Sequence, residues 1–316
     1  MSASAESTLI GASDRHLAEE QARGQLQIFW RRFRRHKLAM VSAVYLIILI
    51  LTAIFAPIVA PYDPYATDLQ LARFGRPASP SLDHPFGSDQ LGRDLLSRAI
   101  YGSRVSLMVG FVATGIAIAA GTVLGAVAGY AGKWTDMGIM RFADVFLAFP
   151  PLLFSMAALA SVVGSDRGVI HIAAVLAVIG WMNVARLVRG EFLVLRTREY
   201  TEAARAVGAS GLSIIFRELL PNAVGPIIVA ASLGIPAAIL TESALSFLGF
   251  GIQPPQPSWG NMISGAGGSD TFAMMRDFNA WWMGFFPGLA IATTVLAFNF
   301  FGDGLRDALD PRTHLD

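Results

Sequence analysis

The sequence predicts an all-α integral membrane protein with six transmembrane helices, and two features of its composition support this. First, 54% of the 316 residues are hydrophobic and only 15% are charged, whereas soluble domains average about 25% charged residues. Second, charged residues are absent from six runs whose lengths approach the roughly 20 residues that a helix needs to cross a bilayer. The six uncharged runs cover residues 38–62, 105–132, 145–165, 168–185, 219–241 and 278–302.

The first run predicts an uncleaved transmembrane helix over residues 38–60. It is longer than the about 7–15 apolar residues of a signal peptide, and it follows a polar tail over residues 1–37. Lysine and arginine accumulate on the cytoplasmic side of membrane proteins, which places this tail in the cytoplasm. The basic residues directly before the first helix are Arg31, Arg32, Arg34, Arg35 and Lys37.

The remaining runs extend this topology in chain order. Residues 61–104 are predicted to form an ordered external cap, because structureless loops longer than about 12–15 residues are uncommon. Residues 105–302 are predicted to form a core with spans two to six, and residues 303–316 a second cytoplasmic tail. The arginines after the fourth span place the segment there in the cytoplasm; they are Arg186, Arg189, Arg196, Arg198, Arg205 and Arg217.

The composition argues against most classes of enzyme site. There are no cysteines, which excludes disulfides and Cys-ligated metals, and the five histidines are scattered without a metal-ligand spacing. Gly132-Lys133 is followed by Trp134 and lacks the pattern of a phosphate-binding loop. A net charge of +1 gives no basic surface for nucleic acid. We therefore expect no catalytic residue, no metal and no cofactor in this chain, and no nucleic-acid partner.

The segment EYTEAARAVGASGLSIIFRELLPN, residues 199–222, predicts a compact helix–turn–helix within a cytoplasmic loop over residues 190–222. Its small apolar residues form one stripe at helical spacing, which consists of Tyr200, Ala203, Ala204, Val207 and Gly211. Gly208 and Gly211 interrupt the first helix because glycine tolerates positive φ. A second short helix is expected from Leu212 to Leu220 and ends at Pro221. The stripe is a docking surface for another protein or, equally, part of a loop packed on its own membrane domain.

The order Glu202-Ala203-Ala204, Gly208 and Leu220-Pro221 resembles the EAA loop of prokaryotic ABC-importer permeases, although Glu218 stands where that loop usually has isoleucine. Four further segments resemble the C-type subunits of the dipeptide/oligopeptide/nickel branch of this family. They are HPFGSDQLGRDLLSRAIYGSRVSL from His84, DVFLAFPPLL from Asp144, ESALSFLGFGIQPPQPSWGNMI from Glu242 and FFPGLAIATTVLAFNFFGDGLRDALDPR from Phe285. Together the resemblance covers roughly residues 30–312 in order, which makes it specific.

The resemblance implies a permease subunit of an ATP-driven importer in a bacterial or archaeal plasma (inner) membrane, with both termini in the cytoplasm. Di- or oligopeptides are the leading cargo, and nickel complexes or other small peptide-like solutes are the alternative. The implied partners are a homologous second permease, one or two ABC ATPase subunits that bind ATP and Mg²⁺, an extracytoplasmic substrate-binding protein and the lipid bilayer. The implied ATPase-coupling residues are Tyr200, Glu202, Ala203, Ala204, Val207, Gly208, Leu220 and Pro221.

Two other classes of function compete with this interpretation. A self-sufficient secondary transporter or channel would explain six spans, but it would not explain the loop over residues 190–222. A membrane enzyme would need acidic, histidine or nucleophilic residues clustered at one membrane face, and the sequence has no such cluster.

Glu242 is the candidate for the translocation path, because ionisable residues at membrane depth are functional candidates. It could meet a peptide ammonium group there, or it could instead pair with Arg104 or cap a helix. Arg141 and Asp144 lie three residues apart and predict a local ion pair on one helix.

Two further patterns predict structure rather than function. Residues 121–129 contain a double G-x-x-x-G, which favours close packing between helices of this chain over a contact between subunits. His84 lies near Asp83 and Asp89, which favours a hydrogen-bond network in the cap over a metal site.

Overall fold

The computed structural model describes residues 29–68, 70–72, 76–161, 168–264, 275–276 and 279–309, together with positions 24 and 27. Most of the predicted N-terminal tail and the last residues of the C-terminal tail lie outside these ranges. Within them the backbone consists of helices and loops, with one isolated β-bridge between Ser88 and Asp94.

Twelve helices are numbered here in chain order within the described residues. They are α1 (29–35), α2 (Lys37–Ile54), α3 (Ala56–Val59), α4 (Leu95–Ala131), α5 (Lys133–Leu147), α6 (Pro151–Ser161), α7 (Val169–Leu195), α8 (Glu199–Ala206), α9 (Gly211–Ile214), α10 (Leu220–Phe247), α11 (Trp259–Ile263) and α12 (Trp282–Leu309). A π-helical segment, Ile215–Leu219, joins α9 to α10.

The predicted set of membrane spans is confirmed with one change in the third span. Five helices are long and apolar enough to cross a membrane, and there are six if the bent pair of α5 and α6 forms one span rather than a re-entrant loop. An unbroken third helix over 145–165 was wrong, because the chain bends by 85° between Leu147 and Pro151. Pro150 and Pro151 explain the break, since proline lacks an N–H and disfavours helical backbone in the residue before it.

Two predicted boundaries also shift. Helix α4 begins at Leu95, before the predicted end of the cap at residue 104, and the Asp94 side chain caps it by accepting a 2.7 Å hydrogen bond from the Ser97 N–H. Helix α12 continues to Leu309, into the predicted tail over 303–316. Charged side chains lie near the start of α4 and near the end of α12. The uncharged runs are therefore shorter than the helices that contain them.

The glycine repeat lies at the contact between α4 and α7, which confirms packing within the chain. A β-carbon on Gly121 would lie 2.5 Å from the Val184 Cβ, and one on Gly129 would lie 2.6 Å from the Phe192 Cβ. Gly125 faces the backbone of Ala185 at the same short range. Glycine therefore sets how closely these two helices approach.

The remaining long helices pack around this pair. Helix α10 contacts α4, α7 and α12, and α2 lies against α12. Helix α1 is fixed on α12 by Phe33, which is buried and whose ring centroid lies 5.7 Å from that of Phe301. His36 separates α1 from α2, and its ring nitrogen accepts a 3.1 Å hydrogen bond from the Ala39 N–H at the start of α2.

The bundle has two distinct ends. The cap end holds residues 61–68, 70–72, 76–94 and 248–263, and the loop end holds residues 132–133 and 196–219. Helix α4 runs between them with 37 residues, or about 55 Å at 1.5 Å per residue. This exceeds the roughly 30 Å of a bilayer core, so α4 projects beyond the membrane.

Candidate functional site

The loop end is built on helix α8, and two hydrogen bonds hold the corner between α7 and α8. The buried Thr201 hydroxyl donates to the Leu195 carbonyl at 3.0 Å, which fixes α8 to the end of α7. The Arg196 guanidinium donates to the Gly129 carbonyl at 3.1 Å, which fixes the same corner to the end of α4. The position of α8 is therefore set by both glycine-packed helices.

The predicted stripe is split by the structure into an exposed part and a packed part. Tyr200 and Ala203 are exposed, and Val207 is 85% exposed. Ala204, by contrast, is half-buried against the chain's own apolar cluster around Phe192. Of the other residues assigned to coupling, Glu202, Gly208 and Pro221 are exposed and Leu220 is half-buried.

Two exposed apolar residues at this end were missed by the sequence reasoning. Leu212 is 69% exposed and Phe216 is 63% exposed. They lie four residues apart, on the opposite side of the segment from the buried Ile214. That spacing is visible in the sequence and is the signal that could have found them. We call Tyr200, Ala203, Val207, Leu212 and Phe216 the exposed apolar face.

Gly208 provides the turn between α8 and α9. Its φ of 81° lies in the left-handed region, as the sequence predicted, and a β-carbon there would meet no atom within 4 Å. The requirement for glycine is thus conformational rather than steric. Gly211 has the opposite reason, because its β-carbon would lie 3.0 Å from the Tyr130 hydroxyl.

The predicted second helix, Leu212 to Leu220 with its end at Pro221, was wrong. Helix α9, the π-helical segment and α10 follow one another without a loop from Gly211 to Phe247. Pro221 lies in the first turn of α10, directly after the π-helical segment, and it does not end the helical run. The loop end is therefore joined directly to a membrane span.

A cavity of about 330 Å³ lies among α4, α6, α7 and α10 and reaches Pro151 at the start of α6. Its lining is mostly alanine, glycine and branched aliphatic side chains. Its polar lining residues are Thr114, Ser155, Asn183 and Thr241. No charged side chain occurs among the described residues that line it.

The structure places Glu242 away from this cavity, although its neighbour Thr241 lines it. The Glu242 side chain is fully buried and accepts hydrogen bonds from the hydroxyls of Ser246 at 2.7 Å and Ser106 at 3.1 Å. An ion pair with Arg104 is not present within the described residues. In this structure Glu242 thus lies at a buried contact between α10 and α4, and its place on the translocation path stays a prediction.

The predicted ion pair between Arg141 and Asp144 was also wrong. Asp144 instead pairs with Arg186 of α7 at 2.5 Å. One turn further along α7, both carboxylate oxygens of Asp136 accept from the Arg189 guanidinium. These two contacts hold α5 across α7, and arginines that sequence reasoning read only as topology signals thus also position α5.

In the cap, His84 takes part in the predicted kind of loop network but with a different partner. Its ring nitrogen lies 2.9 Å from an Asp94 oxygen, rather than beside Asp83 or Asp89. Asp89 instead accepts from the Arg93 guanidinium at 2.7 Å. Because Asp94 caps α4, this network fixes the start of that helix.

Comparison with known proteins finds two family models. The model described as "Binding-protein-dependent transport system inner membrane component" matches residues 121–315. The model described as "N-terminal TM domain of oligopeptide transport permease C" matches residues 24–80.

Curated relatives are similar over almost the whole chain. The "Glutathione transport system permease protein GsiD" of Escherichia coli O6:K15:H31 is 44% identical over 294 residues, covering 93% of this chain and 92% of that protein. The protein of the same name from Shigella dysenteriae serotype 1 is 43% identical over the same shares.

Proposed function

The chain belongs to the family of binding-protein-dependent transport system inner membrane components, and from this we propose its cargo, partners and coupling mechanism. It is a permease subunit of an ABC importer. We propose that the importer carries short peptides and peptide-like solutes, of which glutathione is the case that its relatives' names supply. Other small solutes of the same branch, including nickel complexes, are the alternative cargo.

One observation carries the proposed mechanism, and it is the continuous connection from the exposed apolar face to the cavity. Leu212 and Phe216 belong to the same unbroken helical run, Gly211–Phe247, that contributes Gly234 and Thr241 to the cavity lining. The run contains the π-helical segment and two internal prolines, Pro226 and Pro236, and a displacement at the loop end would reach the cavity as a shift or bend of this run. Docking at the loop end would therefore change the shape of the cavity.

The exposed apolar face fits a protein partner. Leu212 and Phe216 are more than half exposed, and Val207 more so. Large exposed apolar groups in one place mark interaction sites, and the charged residues around them, such as Glu202 and Arg205, suit the rim of an interface. The proposed partner is the ATPase subunit, which would bind ATP and Mg²⁺.

The proposed cycle is rigid-body alternating access. Closure of the ATPases on ATP would move α8 and α9, and the π-helical segment would pass this movement to α10. A homologous second permease would complete the wall of the path. In the proposed orientation the loop end, with its arginines, faces the cytoplasm, and the cap end faces the binding protein.

The experiment that tests the function is reconstitution of the complete importer in proteoliposomes. We expect uptake of glutathione and of a simple tripeptide. This uptake should require the binding protein, the second permease, and ATP on the side of the membrane that the loop end faces. Uptake without ATP or partner subunits would contradict the importer and favour a secondary transporter. ATP-driven uptake of a nickel complex but of no peptide would contradict the proposed cargo.

A further inference from the structure

The cavity contains two polar side chains whose hydrogen-bonding groups are unused. Thr114 of α4 is only 7% exposed, and its hydroxyl has no hydrogen-bond partner among the described residues. The Asn183 carboxamide of α7 likewise has none there, although Asn183 is exposed whereas Thr114 is buried. Both residues lie near the middle of long membrane-spanning helices.

The other polar residues of the same cavity behave differently. The Ser155 hydroxyl donates to the Pro151 carbonyl at 2.8 Å, and the Thr241 hydroxyl donates to the Ala237 carbonyl at 2.8 Å. Hydroxyls in helices commonly satisfy themselves on their own backbone in this way. Thr114 and Asn183 thus stand apart as groups that are free to bind something in the cavity.

Lipid does not satisfy such groups. A polar group without a partner at membrane depth costs free energy, and polar residues in spans therefore face the bundle interior or a water-filled cavity. Asn183 and Thr114 face a cavity that can hold water when it is empty of solute. A solute that passes through must replace the hydrogen bonds to that water.

The chemistry of the two side chains selects the kind of group that can do so. A carboxamide both donates and accepts hydrogen bonds, and a hydroxyl does the same. The amide unit of a peptide backbone has the complementary pair, one N–H and one C=O. Because no charged side chain is among the described lining residues, the terminal charges of a peptide would not be trapped there.

We propose that this cavity is a transit site that hydrogen-bonds the backbone amides of a passing peptide, with Asn183 and Thr114 as its binding groups. The proposal rests on the proposed function and names the part of the cargo that the permease itself contacts. Its volume of about 330 Å³ lies at the lower end of ligand pockets, which span about 300–1,000 Å³. The site therefore suits a short peptide segment.

A site on a translocation path must bind the solute weakly. Conduction through a site needs binding that is favourable enough for entry but weak enough for release. If the cavity recognises only backbone amides, it does not distinguish peptides by their side chains. The geometry thus predicts that the permease accepts peptides of varied sequence, while discrimination between side chains occurs elsewhere in the importer.

The test is ATP-driven uptake by the complete reconstituted importer, with tri-alanine and with tri-alanine methylated on its amide nitrogens as probes. Asn183→Leu should lower the maximal rate for tri-alanine about three- to tenfold, in line with loss of one or two hydrogen bonds. The maximal rate should fall less for the methylated probe, because that probe has no amide N–H from which the Asn183 carbonyl oxygen could accept a hydrogen bond. Thr114→Val should act in the same direction.

Comparison of each variant with wild type cancels the preference of the binding protein for either probe. Thr52→Val is the matched control, because the Thr52 hydroxyl donates to the Ile48 carbonyl on α2, away from the cavity. Copurification of the ATPase subunits shows that each variant is assembled.

The possible results distinguish the proposed transit site from the proposed peptide cargo. Wild-type rates in Asn183→Leu and Thr114→Val, or an equal fall for both probes, would overturn the transit site alone. A wild-type importer that takes up neither probe would overturn the peptide cargo and the transit site together.

Discussion

At the scale of single residues, burial and local partners decide roles that charge alone suggested differently. Glu242 stood out because it ends an uncharged run, yet the structure surrounds it with serine hydroxyls from α4 and α10. Ser106 is remote from it in sequence, so a single sequence could not reveal this contact. Asn183, in contrast, is a polar residue inside an uncharged run, and the rule for polar residues in spans would have identified it.

Glu242→Gln should therefore lower the stability of the protein rather than its transport affinity. The amide cannot accept the same set of hydroxyl hydrogen bonds, and loss of buried hydrogen bonds costs about 1–3 kcal/mol. We expect a lower midpoint of thermal unfolding in detergent, with an unchanged KM for uptake. Glu191→Gln, on a half-buried glutamate of α7, should leave the midpoint near that of wild type. A raised KM at an unchanged midpoint would return Glu242 to the path.

At the scale of helices, spacing rules succeeded where the contact lies along one repeating face. The G-x-x-x-G repeat predicted the close packing of α4 on α7. The third span was harder, since the absence of charge over 145–165 indicates a membrane segment but not whether its helix is continuous. Pro150-Pro151 carried the signal for the break. The π-helical segment had no such signal, because Pro221 suits both a helix end and a helix start.

Gly125→Leu should separate α4 from α7. It should thereby displace α8, because hydrogen bonds connect the start of α8 to the ends of these two helices. A β-carbon at this position would already lie 2.5 Å from the Ala185 carbonyl oxygen, and overpacking typically costs about 1–3 kcal/mol or more. We expect a lower thermal midpoint and reduced recovery of the protein from membranes. Gly115→Leu is the control, because a β-carbon there meets no atom within 4 Å. Equal recovery of both variants would show that the α4–α7 contact is not set by glycine.

At the scale of the whole molecule, one helical run connects the exposed apolar face at the loop end to the cavity among α4, α6, α7 and α10. The sequence predicted a docking loop over residues 190–222 and six spans, and similarity to known permeases identifies the family. What a single sequence could not supply is the division of the stripe. Ala204 and Val207 lie on neighbouring turns of one pattern, but only folding shows that Ala204 packs inward while Val207 remains exposed.

The most direct test of the central claim is ATPase docking in the assembled importer. Val207→Asp places a charge in the exposed apolar face, while Arg198→Ala, just before α8, changes the net charge by the same amount outside that face. We predict that Val207→Asp loses most of the copurifying ATPase and of the substrate-stimulated ATP hydrolysis, and that Arg198→Ala retains both. Full ATPase retention and full stimulated hydrolysis in Val207→Asp would contradict the account, because the exposed apolar face would then not be the docking element.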